Sequence, residues 1–377
     1  MLKGGVTMEH LCFVLSLLVY LPTKVKQCSA LSMVKNAFYD EDNLRTRWNE
    51  RNFIPNLNLL QSVPYELLEG VELVDVVDDN ANSGVVYYIF AYKGAYYYVF
   101  RGSEAKDDLY HTTCWQDWED NLKLFINEIT PQQQYAIDSI QQHLHQGSFY
   151  MCGHSKGGQL ALLCAMSLSA TQREALKGVV SFNAPGFQKI IIDEYASTLS
   201  YEELLKFHLF ESEHDCVSSC FEHIKNPYYI QSPNPCRTVL DLYHHHNVYG
   251  LECMLYSDYL LCEEKSIVPQ MIHYLVNERY LQKSEEQRRE FVTWMNEAFT
   301  QELTAQELIA KALKRFLRIP QAKAMNAMQD LSQLSWLQLL RKVQEFKKNV
   351  DINDIETLEN DKIISQNMQN EIDIDKK

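Results

Sequence analysis

Apolar and polar positions along this chain change their rhythm twice. Residues 31–70 read as helical and irregular, with turn signals around Asn52 to Asn58 and at Pro64. From Val71 the period changes. Residues 71–77 and 85–90 are β-rich runs separated by an Asp/Asn/Gly cluster, and residues 92–95 form a turn into a third run, 96–100. These three predict an antiparallel meander. Beyond residue 95, strands at 148–152, 178–182 and 204–210, with 228–231 as the last, alternate with helices at 131–146 and after Gly157. That alternation predicts an α/β fold with a mostly parallel sheet flanked by helices. From about Ser266 the pattern turns helical. Capping boxes stand at Ser284 with Gln287 and at Thr304 with Glu307. Phe291, Trp294, Met295, Ala298 and Phe299 share one helical face, as do Ile309, Ala312, Leu313 and Phe316 until Pro320 breaks the run. No internal repeat is present.

With 377 residues, 46% hydrophobic and 23% charged, the chain has the composition of an ordinary soluble globular protein. Its net charge of −15, with no Lys/Arg-rich run against it, argues against a nucleic-acid partner and gives no attraction to anionic membranes. Ten cysteines are scattered without a C-x-x-C pair, and the spacing of Cys216 and Cys220 suits one helical face. Such usage fits a reducing compartment, so a cytoplasmic location is expected. The apolar run 11–21 is too short to span a bilayer. Its length suits a signal-peptide core with Cys28-Ser29-Ala30 as the cleavage site, which would make the protein secreted. Glu9 and His10 directly before it favour a buried N-terminal helix instead, without stable membrane insertion.

The chemistry gathers at Gly153-His154-Ser155-Lys156-Gly157, a G-x-S-x-G match between the strand at 148–152 and an apolar helix. A serine hydroxyl attacks only when a base can take its proton, so it must stand clear of the sheet. A sharp strand-to-helix turn presents it, and glycines two residues to either side remove the β-carbons that would collide. The N–H of Lys156 then points to where an oxyanion forms. On this fold the partners follow in the order acid, then histidine. Asp215 lies just past a strand, and His244, His245 and His246 come after the last one, with His214 as a further histidine nearby. Three consecutive side chains do not converge on one ion in regular structure, so no metal site and no cofactor are predicted.

Four pieces now stand together: Val99-Phe100-Arg101-Gly102-Ser103, Asp117-Trp118-Glu119-Asp120, Gly153-His154-Ser155-Lys156-Gly157-Gly158 and Phe182-Asn183-Ala184-Pro185-Gly186-Phe187. This segment resembles the class-3 lipase branch of the α/β-hydrolases. It is especially similar to an uncharacterised bacterial family of lipase-like proteins, and a looser likeness runs through Asp215 and His246. The resemblance implies an α/β-hydrolase fold with Ser155 as nucleophile, Asp215 as orienting acid and His246 as base. Ser103 stands at the oxyanion-hole position. Lys156 replaces the apolar residue usual in true lipases, and a charge beside the nucleophile would make a greasy substrate surface doubtful. The expected organisation is a lipase-like domain over 1–265, a helical region over 266–350 packed on it, and an acidic, frayed tail over 351–377. The function expected is a serine hydrolase cleaving small-molecule or lipid acyl esters. A thioesterase, amidase or peptidase on the same site, and a non-catalytic binding protein that keeps the fold, remain open.

Overall fold

The valine- and tyrosine-rich runs pair as their pattern predicts. In a computed structural model describing residues 7–21, 27–39, 59–103, 120–126, 129–234, 236, 244–255 and 259–300, β2 (Glu72–Asp79), β3 (Val85–Tyr92) and β4 (Ala95–Phe100) form the antiparallel meander. Lys93 and Gly94, both with positive φ, make the two-residue turn between β3 and β4. Asp117, Trp118 and Glu119, the helical faces beyond residue 300 and the acidic tail lie outside the described residues, as do the side chains of Trp294, Met295, Ala298 and Phe299.

Among the described residues nine strands form one sheet, and their spatial order is their chain order. β1 (Cys28–Ser29) pairs antiparallel with β2. From β4 the sheet runs parallel through β5 (Ser148–His154), β6 (Leu176–Phe182), β7 (Phe207–Ser212) and β8 (Tyr228–Ile230). The last strand is therefore not β8: a short antiparallel β9 (Leu261–Cys262) closes the edge. β7 also starts later than its apolar run, because Ser200 and Glu203 form a capping box that draws Tyr201–Leu204 into a helical turn. The box expected at Ser284 does form, through reciprocal bonds with Gln287 at the head of the helix Glu285–Thr300.

Successive side chains on a strand point to opposite faces. Tyr87, Ile89, Tyr98, Phe149, Val179 and Leu209 thus face one apolar cluster, while Tyr88, Phe90, Val99, Cys152, Val180 and Phe210 face another. Right-handed crossovers between strands laid down in chain order put every crossover helix on the same side. Accordingly α3 (Pro131–His143), α4 (Lys156–Met166) and the helix Lys189–Tyr195 all contribute to the first cluster. The second face is covered from outside the crossovers, by α1 (Met8–Leu18), α2 (Ala30–Tyr39) and residues 248–255.

This placement explains the composition of α1. Leu11, Cys12, Phe13, Val14, Leu15, Leu17 and Leu18 are all buried, so the helix is apolar nearly all round, and its Ser16 hydroxyl is satisfied by the Cys12 carbonyl at 2.8 Å. Phe13 stands edge-on to Phe182 of β6 at 5.3 Å between ring centres. No helix among the described residues is long and apolar enough to cross a membrane. Phe13→Ala should cost about 3–5 kcal/mol in urea unfolding, as for a large core aromatic. Tyr201→Ala, at a position 72% exposed, should stay within about 0.5 kcal/mol. Equal costs at the two positions would show that α1 is not part of the core.

Candidate active site

β5 runs into α4 through a single strained residue. Ser155 has φ 56° and ψ −130°, and its N–H is held by the Phe182 carbonyl at 2.8 Å. A non-glycine residue there costs on the order of 1–3 kcal/mol and persists because its surroundings over-determine it. The glycines meet the requirement read from the spacing: a Cβ on Gly157 would be driven into the Phe100 carbonyl, and one on Gly153 would lie 2.5 Å from the Gly157 carbonyl carbon.

The three residues expected around Ser155 come together in one line. Ser155 Oγ lies 2.9 Å from His246 Nε2, and His246 Nδ1 lies 3.0 Å from Asp215 Oδ1. A carboxylate only accepts, so Nδ1 carries the ring proton and the Nε2 lone pair receives the Ser155 hydroxyl. Asp215 is fully buried and also accepts the N–H groups of Val217 and Ser218, each at 3.0 Å. Burial opposes its charge. The charge and hydrogen bond of His246, the Lys265 ammonium and a Ser218 hydrogen bond outweigh that and hold the carboxyl well below the usual range.

Residues 244–246 form one helical turn, so the three histidines leave in different directions. His244 is exposed, His245 is buried with its ring 4.6 Å from that of His214, and His246 turns to Ser155. His214 itself bonds Ser266 Oγ at 2.9 Å. The turn is tight enough that a Cβ on Gly250 would come within 2.7 Å of the His244 carbonyl oxygen. Asn183, quoted above only as part of a motif, holds the turn in place. Its Nδ2 donates to the carbonyls of His245 (2.9 Å) and His246 (3.0 Å), and its Oδ1 accepts the Ser212 N–H from β7 at 2.8 Å.

His154 and Tyr20 extend this scaffold. His154 Nε2 donates to the His246 carbonyl at 2.7 Å, which leaves Nδ1 to accept the Tyr20 hydroxyl at 3.1 Å. The same Tyr20 oxygen accepts the Gly102 N–H at 3.1 Å. No motif could have announced Tyr20, since it follows α1 and meets the site only through the fold. Ser103 Oγ accepts from Asn121 Nδ2 at 2.9 Å, which leaves the serine's own proton to donate elsewhere.

Lys156 differs from its sequence reading. The side chain is 3% exposed, and its ammonium turns inward to the carboxylate of Asp120. Asp120 also accepts the Thr130 hydroxyl at 2.7 Å at the N-cap of α3. The charge is neutralised inside the protein and does not face a substrate. Cys216 and Cys220 also differ: they sit in the turns after Asp215, not on a helix, because Asp215 caps the Val217 and Ser218 N–H groups. Among the described residues no cluster of His, Cys, Asp and Glu is arranged to hold a metal ion. A groove of about 950 Å³, bordered by Ile129, Ile190, Glu278 and Arg288, includes none of the residues of the Ser155 line.

A serine on the strained turn after a parallel strand, an acid past a later strand and a histidine beyond it define an α/β-hydrolase fold. Within that class, residues 65–297 match the model of the Mbeg1-like family, and the chain belongs to this family. Among solved structures it is similar to MDLA of Penicillium cyclopium, at 13% identity over 62% of this chain and 84% of that one, with a TM-score of 0.34. It is also similar to the lipase of Rhizomucor miehei, at 15% over 61% and 69% with a TM-score of 0.32, and to the LIP2 lipase of Yarrowia lipolytica, at 14% over 59% and 84% with a TM-score of 0.31. No curated protein matches it. The fold assignment rests on the strand order and the elbow themselves.

Two measurements check the electrostatics of the scaffold. Lys156→Met leaves the Asp120 charge buried without its cation and should cost about 3–5 kcal/mol. Adding Asp120→Asn should recover most of that loss; no recovery would mean that the pair is not the cause. His154, buried against His246, is pushed down to about 3, so the folded ring stays neutral while the unfolded ring protonates below about 6.5. The unfolded state then binds the extra proton, and this group's contribution is lost as pH falls from about 6.5 to about 3, at up to about 1.4 kcal/mol per pH unit. His154→Gln should flatten the fall in stability across that window. An unchanged slope would assign it to other groups.

Proposed function

We propose that the protein is a serine hydrolase of the esterase or lipase type. The observation that carries the reading is the hydrogen-bonded line Ser155–His246–Asp215, in which the acid is buried and ionised while Ser155 and His246 are part-exposed. His246 Nε2 takes the hydroxyl proton as Ser155 Oγ bonds to the acyl carbon. The carbonyl oxygen becomes an oxyanion held by the N–H groups of Ser103 and Lys156, with the Ser103 hydroxyl as a further donor. As the tetrahedral intermediate collapses, the C–O bond to the leaving alcohol breaks and the alcohol departs with the proton from His246. Water, deprotonated by the same ring, then attacks the acyl-enzyme. The acid leaves and Ser155 regains its proton. Asp215 keeps Nδ1 protonated throughout, so Nε2 faces the nucleophile in the basic form.

No cofactor is required by this chemistry. With the Lys156 ammonium drawn inward to Asp120, the surface beside Ser155 carries no cation from that residue, which favours an apolar acyl chain over a charged one. The scattered thiols, among them Cys12, Cys152 and Cys164 in the core, support a reducing, cytoplasmic setting.

Ser155→Ala should abolish labelling by a fluorophosphonate probe and hydrolysis of p-nitrophenyl esters, with stability within about 1 kcal/mol of the parent. His246→Ala should lower kcat by roughly four orders of magnitude or more. His244→Ala, at an exposed position, should remain within about tenfold of the parent, since a surface change away from the line removes no transition-state contact. Full labelling of the Ser155→Ala protein would rule the proposal out. An ester chain-length panel on the parent then reads the acyl preference.

A further inference from the structure

Next to Asp215 lies a buried cluster that the reaction itself does not touch. Lys265 follows β9, and its ammonium lies 2.7 Å from Glu211 Oε2. It donates to the Asp215 carbonyl at 3.0 Å, to Ser218 Oγ at 2.5 Å and to Ser219 Oγ at 3.1 Å. Glu211, on β7, is 2% exposed, and its other oxygen lies 3.0 Å from His223 Nε2. An ammonium has donors only, so the Ser218 oxygen is the acceptor in its bond with Lys265 and the hydroxyl keeps its single proton to give. The N–H of the same residue donates to Asp215 Oδ2 at 3.0 Å. Lys265 thus holds both the Asp215 carbonyl and the residue whose backbone N–H meets the carboxylate that bonds His246.

The segment that carries Lys265 grips the acid loop along its whole length. The Ser266 N–H donates to the Glu213 carbonyl at 2.9 Å, and His273 Nδ1 bonds the Ser219 carbonyl at 3.1 Å. Asn277 accepts the Phe221 N–H at 2.9 Å and donates to its carbonyl at 3.1 Å, fixing a residue whose φ is 70°. Asn277 lies in the π-helical stretch Tyr274–Tyr280, a geometry that recurs at functional sites.

We propose that Lys265 is a positioning residue for Asp215, holding the acid in register with His246 through Ser218 and the Asp215 carbonyl. Its catalytic consequence rests on the serine-hydrolase reading; the placement of the acid does not. The groups facing the Asp215–His246 pair are His154, with its ring 5.3 Å from that of His246, His245 backed by His214, the half-buried thiols of Cys216 and Cys220, and Lys265 with the Glu211–His223 pair. Lys265 is the ammonium among them. Lys265 is among the charges that act most on Asp215 and Glu211 is not, so losing the two together still raises the proton affinity of the Asp215–His246 pair as a unit, however the proton is shared between its members.

The test uses the full chain with ¹⁵N-labelled histidine, as parent, as Ser218→Ala, and as the double variant Glu211→Gln with Lys265→Met, which leaves no lone buried ion. The downfield Nδ1 proton resonance of His246 reads the bond to Asp215 without any turnover. Its downfield step on acidification, as the Asp215–His246 pair takes up a proton, should move up by about half a pH unit or more in both variants. The acid limb of kcat/KM for a p-nitrophenyl ester should move the same way, with kcat lowered and KM unchanged. A purely structural Lys265 would lower the melting temperature and the probe-titratable fraction and leave the resonance and the limb where the parent has them; that result overturns the proposal. Should the double variant not fold, Ser218→Ala decides it alone. If the parent takes no probe and cleaves no ester while the resonance still moves, the hydrolase reading falls and the positioning role stands.

Discussion

A sheet whose strands lie in chain order can be covered by its own crossovers on one face only. The rest of this molecule answers to that constraint. α3, α4 and the helix Lys189–Tyr195 occupy the crossover face, and the opposite face, with Phe90, Val99, Val180 and Phe210, requires cover from elsewhere. α1, α2 and residues 248–255 supply it. The first and last of these are also the segments whose ends reach the elbow. α1 delivers Tyr20 to His154 and Gly102, and the stretch beginning at Val248 follows directly on the turn that carries His246. The site is assembled where the cover of the bare face meets the C-terminal edge of the parallel strands.

Around that meeting point the protein keeps several charges out of water. Two buried ion pairs, Lys156 with Asp120 and Lys265 with Glu211, flank the elbow and the acid loop. Such pairs contribute little net stability against the desolvation they require. What they add is geometric. One ties the first residue of α4 to the N-cap of α3, and the other ties the acid loop to the segment that follows β9. A left-handed Ser155 and a left-handed Phe221 persist within this frame because their neighbours leave them no relaxed alternative.

The meander was legible because its valine and tyrosine runs are cut by an Asp/Asn/Gly cluster and a short turn, each signalling a reversal. The elbow was legible because its two glycines are the trace of two close approaches, the start of α4 against the end of β4 at Gly157 and against the end of β5 at Gly153, written into a five-residue spacing. Chain order pointed to Asp215 and to the histidine run. What stayed hidden depends on partners distant in sequence. Lys156 reads as a surface cation until Asp120, 36 positions earlier, is known to lie under it. Lys265 attracts no notice until the fold brings Glu211 and the Asp215 loop around its ammonium. The start of β7 was misplaced because a local cap at Ser200 overrode an apolar run, and the pair Cys216/Cys220 misled because a four-residue spacing serves a capped turn as well as a helix.

α1 also sets an order of events. It is made well before much of what it packs on: β5, β6 and residues 248–255 follow far later in the chain. Until then a helix apolar on nearly every side has only α2 and β4 to bury itself against. Domains acquire their structure as they emerge at about 5–20 residues per second, so this segment stays available for many seconds to whatever binds nascent hydrophobic chain. Its insertion closes the bare face and brings Tyr20 to the elbow in one step. Closure of the bare face and completion of the site are then the same event, and a chain released before residue 255 has neither.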